Sequence, residues 1–186
     1  KEIWKLSKKY GFRIIEDASH SLGASRDNHK VGNCKWSDIV VSSFHPVKTI
    51  TSGEGGVSFT NDANLSKRMQ ALRTHGIYKN LKNDKQNWRF DQRELGYNFR
   101  ITDIQSALGI SQLKRIKSFI NKRKKISLFY DKCFSESSKI YPLKLKQGNN
   151  STHHLYVVKV SLKKKETRDE LLKFLKEKRI NLNVHY

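Results

Sequence analysis

The apolar and polar positions of the chain alternate between two rhythms, and each predicts a different kind of element. Residues 3 to 10 read as the last turns of a helix closed by Gly11 as its C-cap. Phe12 to Glu16 is a short apolar strand with Asp17 at its carboxyl end, the edge at which open α/β sheets bind ligands. Residues 23 to 36 form a polar excursion containing Gly23 and Gly32. Asp38 to Ser43 is the next strand, and Val57 to Thr60 is its return after a polar turn that presents one lysine, Lys48. Asn61 or Asp62 caps a helix whose Leu65, Met69 and Leu72 share a face, and Gly76 ends it. Residues 77 to 95 keep no period and read as a mobile surface loop.

The second half changes texture. A capping box, Thr102-Asp103-Ile104-Gln105, opens a helix through Leu108 and Leu113. A separate amphipathic helix is expected from about Lys117 to Phe134, burying Phe119, Ile126, Tyr130 and Cys133 or Phe134. Ile140 to Leu145 and Leu155 to Leu162 alternate as strands. Thr167-Arg168-Asp169-Glu170 is a second capping box before a helix with Leu171, Leu172 and Leu175 inward, and Ile180 to Val184 starts a further strand. This ββαβ order predicts a smaller α+β lobe, 116–186, after an α/β portion, 1–115.

Charge and composition change the picture only a little. The net charge of +21 over 186 residues raises the question of nucleic acid. Its clusters, Lys122 to Lys125 and Lys163 to Lys165, carry no interleaved aromatics, so solvated helix faces explain them better and a nucleic-acid partner is not expected. The excess would also steer an anionic substrate. No run of about 18 apolar residues exists to span a membrane. Cys34 and Cys133 form no CxxC pair, which fits free thiols in a reducing cytoplasm. The seven histidines show no metal-ligand spacing, and the adjacent His153 and His154 would face opposite sides of a strand. Because the chain opens on Lys1 inside a helix and stops within a strand, it reads as an internal piece of a longer protein.

Candidate chemistry centres on Ser42 to Gly56. A lysine on a rigid turn between two buried strands is partly desolvated, which lowers its pKa and makes the amine a nucleophile toward carbonyls. Lys48 is thus a candidate for a Schiff base. In Ile15 to His20, Asp17 either caps the following turn or pairs with a cation. Gly53, Gly55 and Gly56 read as structural, allowing close chain approach beside the lysine. Glu54 is read as a turn salt bridge, and His45 and His75 as packing histidines or site neighbours.

Taken together, "IIEDASHSLGAS", "VGNCKWSDIVVSSFHPVKTITSGEGGVSFTND", "LRTHGIYK" and "LGYNFRITDIQSALGISQLK" resemble, in order, the DegT/StrS-type nucleotide-sugar aminotransferases. "HHLYVVKV" and "NLNVHY" match segments of that family's small domain. The form "SFHPVKTITSGEGG" is most similar to the family's pseudaminic-acid branch. The resemblance implies an α/β, aspartate-aminotransferase-like fold (fold type I), present as part of the large domain and the start of the small one. It also implies pyridoxal 5'-phosphate as cofactor, bound to Lys48. Asp17 would pair with the pyridine nitrogen, His20 would stand near the 3-hydroxyl where many members carry Gln, and Ser43 would meet the phosphate. Asn98 would reach the cofactor phosphate of a neighbouring subunit, making the enzyme a homodimer with shared sites; Arg100 is split between substrate or phosphate contact and a structural ion pair. The implied reaction is ping-pong transfer of an amino group from glutamate to a 4-keto nucleotide sugar, with the freed Lys48 amine moving the proton. Two other readings stay open, an inactive truncated fragment and a basic nucleic-acid-binding protein.

Overall fold

The structure is a computed structural model and describes residues 1–78, 90–162 and 167–184. Its elements are α1 (Glu2–Tyr10), β1 (Ile15–Asp17), β2 (Ser25–Arg26), β3 (His29–Lys30), β4 (Ile39–Ser43), β5 (Gly56–Phe59) and α2 (Ala63–Arg73). There follow β6 (Ile77–Tyr78), β7 (Asp91–Gln92), α3 (Asp103–Phe134), β8 (Ile140–Pro142), β9 (Asn149–Asn150), β10 (Val158–Val160) and α4 (Arg168–Glu177). They fall into two compact units: Lys1–Lys124 with Leu145–His154, and Lys125–Lys144 with Leu155–Tyr186. The passage from one unit to the other lies inside α3.

In the first unit a three-stranded sheet in the order β1-β4-β5 carries the centre. β1 and β4 run parallel, with Ile15 opposite Ile39, Glu16 opposite Val40 and Asp17 opposite Val41. Their register is pinned at the base by Asp38, which accepts from the Ile14 N–H at 2.7 Å and from Arg13 Nη1 at 2.7 Å. The backbone donor first and the guanidinium second hold this carboxyl below the usual carboxylate range. β5 then pairs antiparallel with β4, placing Ser43 opposite Gly56. Val40, in the middle strand, is fully buried.

Local signals in the sequence account for the helix ends. Gly11 adopts the left-handed conformation at φ 73° and donates to the Ser7 carbonyl, so α1 stops where expected. Asp62 is the cap of α2, accepting from the Asn64 and Leu65 N–H groups. Both capping boxes form: Thr102 with Gln105, and Thr167 with Glu170.

Several expectations need correction. The two helices expected on either side of residue 115 are one helix of 32 residues, because Lys114-Arg115-Ile116 contains neither a glycine nor a proline to stop it. Within it Ile126 and Cys133 are exposed, and the buried position is Ser127. The polar excursion is a hairpin, β2 against β3, turned by Asp27 and Asn28 at positive φ. β9 pairs with its other edge, so Asn149–Asn150 return to the first unit. The ends of the predicted 77–95 loop pair as β6 and β7, while its stretch 79–89 lies outside the described residues. Its root is clamped by Tyr78, whose hydroxyl donates to Glu94 at 2.6 Å, and by Arg68, which donates to the other oxygen of Glu94 at 3.1 Å.

In the second unit β10 pairs antiparallel with β8, and the Tyr156 hydroxyl donates to Asp131 at 2.7 Å. Burial, and then the Asp131 carboxylate, push the Tyr156 phenol up to about 12. Leu171, Leu172 and Leu175 of α4 are half-buried as predicted. Among the described residues 180–184 are not a strand, and His153 sits at positive φ rather than in an alternating strand. No helix among the described residues is long and apolar enough to cross a membrane.

Apolar burial is sparse. Among the described residues the buried hydrophobic side chains are Ala18, Val40, Ile50 and Ala71. The chain exposes 15538 Å², where a self-contained monomer of its mass exposes about 9,200 Å². Such uncovered apolar surface drives association. The 186-residue chain expressed alone is therefore expected to self-associate and to bind a hydrophobic dye in light-scattering and fluorescence assays. A stable monomer without dye binding would contradict this.

Candidate active site

The site is built at the carboxyl ends of β1 and β4, where parallel neighbours deliver side chains to one edge. Asp17 is the last residue of β1. Its Oδ1 accepts twice from Ser19, from the hydroxyl at 2.6 Å and from the N–H at 2.9 Å. These two bonds, the hydroxyl first, hold the carboxyl below the usual range, with smaller help from the positive fields of His20 and Lys48. Asp17 is thus held in its ionised form chiefly by Ser19. The next residue, Ala18, continues the β1–β4 tie by donating to the Val41 carbonyl at 2.8 Å, and it accepts from the buried Ser42 hydroxyl at 3.3 Å.

Ser43 ends β4, and its hydroxyl accepts from the His45 N–H at 3.3 Å. The Lys48 turn follows, closed by a bond from the Lys48 N–H to the His45 carbonyl at 2.9 Å. Lys48 is half-buried, and Thr49, Ile50 and Ser52 just beyond it are buried. This anchors the turn from its trailing side. Thr51 Oγ1 and the Ser52 N–H both donate to the Phe44 carbonyl, at 2.9 and 3.0 Å, closing the loop across its neck.

The glycines are needed for close approach. A Cβ on Gly56 would stand 2.7 Å from the Ser42 carbonyl, and one on Gly55 would meet the Ser52 hydroxyl at 2.5 Å and Ile101 at 3.2 Å. Glu54, between Gly53 and Gly55, brings its Oε1 to 3.8 Å from His45 Nε2, a contact that is an ion pair only with the ring protonated.

His20 lies beside Asp17 with its ring tilted against His154, centroids 4.6 Å apart. Asn98 is placed by a different set of bonds. It bridges Thr74, while the flanking Tyr97 and Phe99 donate to the Leu72 and Arg73 carbonyls at 2.7 and 3.0 Å. Asp17, Ser43 and Lys48 therefore share one edge, whereas exposed Asn98 belongs to the chain that returns along α2.

Three contributors were not legible in the sequence as site residues. Ser19 holds Asp17, and an Asp-x-Ser spacing at a strand end is the signal that could have shown it. Gln105 uses its Oε1 for the capping box and its Nε2 to donate to the Glu54 carbonyl at 3.1 Å, bracing the glycine turn from the start of α3. His154 is brought to His20 by the β9 return, for which the sequence holds no local signal.

The depressed pKa of Asp17 makes a prediction with a definite sign. A carboxyl whose folded pKa lies below its unfolded value stabilises the fold above the unfolded pKa, and that contribution is lost as pH falls through the folded pKa. Ser19→Ala removes the larger cause, so Asp17 should titrate at higher pH and the acid loss should begin earlier. Carbon-detected NMR of the Asp17 carboxyl reads this directly, and an unmoved titration would refute it.

The profile of the DegT/DnrJ/EryC1/StrS aminotransferase family matches residues 1–186. UDP-4-amino-4,6-dideoxy-N-acetyl-beta-L-altrosamine transaminase of Campylobacter jejuni is 40% identical over 185 residues, covering 100% of this chain and 47% of the relative. The Helicobacter pylori enzyme of that name is 35% identical, over 99% of this chain and 47% of its own length. The chain thus spans about half the length of the curated relatives it matches. Among solved structures, Helicobacter pylori PseC, an aminotransferase of pseudaminic acid biosynthesis, superposes with TM-score 0.89 at 36% identity, over 99% of this chain and 48% of PseC. A Brucella abortus DegT DnrJ EryC1 StrS aminotransferase gives TM-score 0.78 at 29% identity, over 95% and 43%. The chain belongs to the DegT/DnrJ/EryC1/StrS family of pyridoxal-phosphate-dependent aminotransferases, with the aspartate-aminotransferase-like fold type I.

Proposed function

We propose that this chain carries the lysine-centred half of a nucleotide-sugar aminotransferase that moves an amino group from glutamate to the 4-keto carbon of a UDP-linked deoxysugar, on a route to pseudaminic acid. The observation that carries the reading is the placement of Asp17, held by Ser19, and of Ser43 at the carboxyl ends of the adjoining parallel strands β1 and β4, with the Lys48 turn following directly on β4. The names of the Campylobacter and Helicobacter relatives support the sugar and the pathway.

The donor set fits pyridoxal phosphate. An anion kept ionised by Ser19 suits a protonated ring nitrogen, a half-buried primary amine suits the carbonyl carbon, and a hydroxyl beside a turn suits a phosphate. Asp17, His20, Ser43 and Lys48 would hold the group from this chain, and Asn98 would serve the site of a second copy in a homodimer. When bound, the cofactor supplies an electron sink for the carbanion next to the transferred nitrogen. Asp17 keeps its negative charge throughout, because a protonated carboxyl could not favour a cationic ring. Lys48 Nζ would take the proton from the donor's α-carbon, hold it, and give it back, so one amine would serve as base and then acid. The large positive net charge favours the approach of an anionic nucleotide sugar to the protein. The two free thiols suit a reducing cytoplasm.

Borohydride reduction of the intact protein loaded with pyridoxal phosphate should fix a pyridoxyl group on the peptide bearing Lys48. Lys48→Ala should lower turnover with glutamate and a UDP-4-keto sugar by several orders of magnitude. An unmodified Lys48 peptide, or a Lys48→Ala variant that still transfers nitrogen, would sink the assignment.

A further inference from the structure

The backbone donors of the lysine turn converge on a residue to which neither the composition nor the family's chemistry gives a role. In Pro46-Val47-Lys48, proline has no N–H, so Val47 and Lys48 hold the two donors. Both end on His45: the Lys48 N–H on its carbonyl at 2.9 Å, and the Val47 N–H on its ring Nδ1 at 3.3 Å. The His45 N–H in turn donates to the Ser43 hydroxyl at 3.3 Å. His45 therefore joins Ser43 to Lys48 through three separate bonds, one of them made by its side chain.

We propose that His45 is a positioning residue for the Lys48 amine, acting through the lone pair of Nδ1, with Glu54 selecting the tautomer that leaves this lone pair available. The proposal rests on the transamination reading above for the importance of Lys48. An Nδ1 that accepts a bond carries no proton, so the neutral ring must carry its proton on Nε2. Nε2 faces Glu54 Oε1 at 3.8 Å, a distance at which a carboxylate favours N–H over a lone pair by its field, though it is too long for a hydrogen bond. The Glu54 backbone is held in place, because its main-chain carbonyl accepts from Ser52 Oγ at 2.8 Å and from Gln105 Nε2 at 3.1 Å, while the carboxylate itself extends from this anchored turn. The order of dependence runs from the first turn of α3, through the glycine turn, to the ring tautomer and then to the lysine turn.

Two side chains separate this idea from a plain ion pair between His45 and Glu54. Asparagine places an acceptor oxygen where Nδ1 stands and can receive the Val47 N–H, as asparagines do in turns. Glutamine reaches the Nε2 position and so keeps the Glu54 side but not the Val47 bond. The ring is half-exposed, with 46% of the side chain open, so these variants remove little packing.

The test uses the intact protein in two states. Without cofactor, trace labelling with acetic anhydride followed by peptide mass spectrometry reports the reactivity of the Lys48 amine against Lys30 and Lys35 as internal references. With pyridoxal phosphate, borohydride trapping reports its capture at Lys48. His45→Phe and His45→Gln should change the relative labelling of Lys48 and cut trapping by about fivefold to tenfold, the loss of one hydrogen bond. His45→Asn should restore both to within about twofold of the parent, because it replaces that bond. Parent-like behaviour of His45→Phe, rescue by glutamine in place of asparagine, or no rescue by asparagine would each overturn the proposal. A parent protein that is never trapped at Lys48 would instead count against the transamination reading, while the acetic anhydride comparison would still decide the role of His45.

Discussion

The parallel pairing of Asp17 with Val41 is the constraint on which the rest of the site depends. Parallel strands lack a short connection, so a carboxylate at the end of one can meet an amine beyond the end of the next only if the register is fixed elsewhere. Asp38 does this at the far end by binding both Arg13 and the Ile14 backbone. A slip of one residue would turn Asp17 to the opposite face and separate it from Lys48. The buried Val40 and the bond from Ser42 to Ala18 resist that slip from the middle of the pair.

The lysine side of the site is assembled by another kind of contact. β4, the turn and β5 are contiguous, so their bonds close over short loops. The glycines let β5 approach the turn, and α3 then braces it through a side chain that also caps the helix. The capping amide has two polar ends. Its oxygen satisfies a local need at Thr102, and its nitrogen reaches 51 residues back to Glu54. One residue thereby couples a helix start to the geometry around Lys48.

How much was legible follows from the range of each signal. Gly11, Asp62 and the two capping boxes were readable because each is satisfied within a few residues of itself. Lys48, Ser43 and Asp17 are singled out by motif spacing, and in the fold Asp17 and Ser43 end adjoining strands with the Lys48 turn following. The pairing of β9 with β2 was not, since Asn149 and Asn150 advertise a turn, and only a partner over a hundred residues away makes them a strand. The helix expected through Leu113 and the one expected from about Lys117 are a single helix, since no stopping residue stands between them. Alternation at 180–184 likewise predicted a strand, yet a strand needs a neighbour as well as a pattern.

The clamp made by Tyr78, Arg68 and Glu94 gathers three segments at one carboxylate. It ties two points of the chain that are 16 residues apart, immediately before the strand of contacts that places Asn98. Because one carboxylate accepts from both Tyr78 and Arg68, loss of Glu94 alone would free β6 and α2 together from the segment that leads to Asn98.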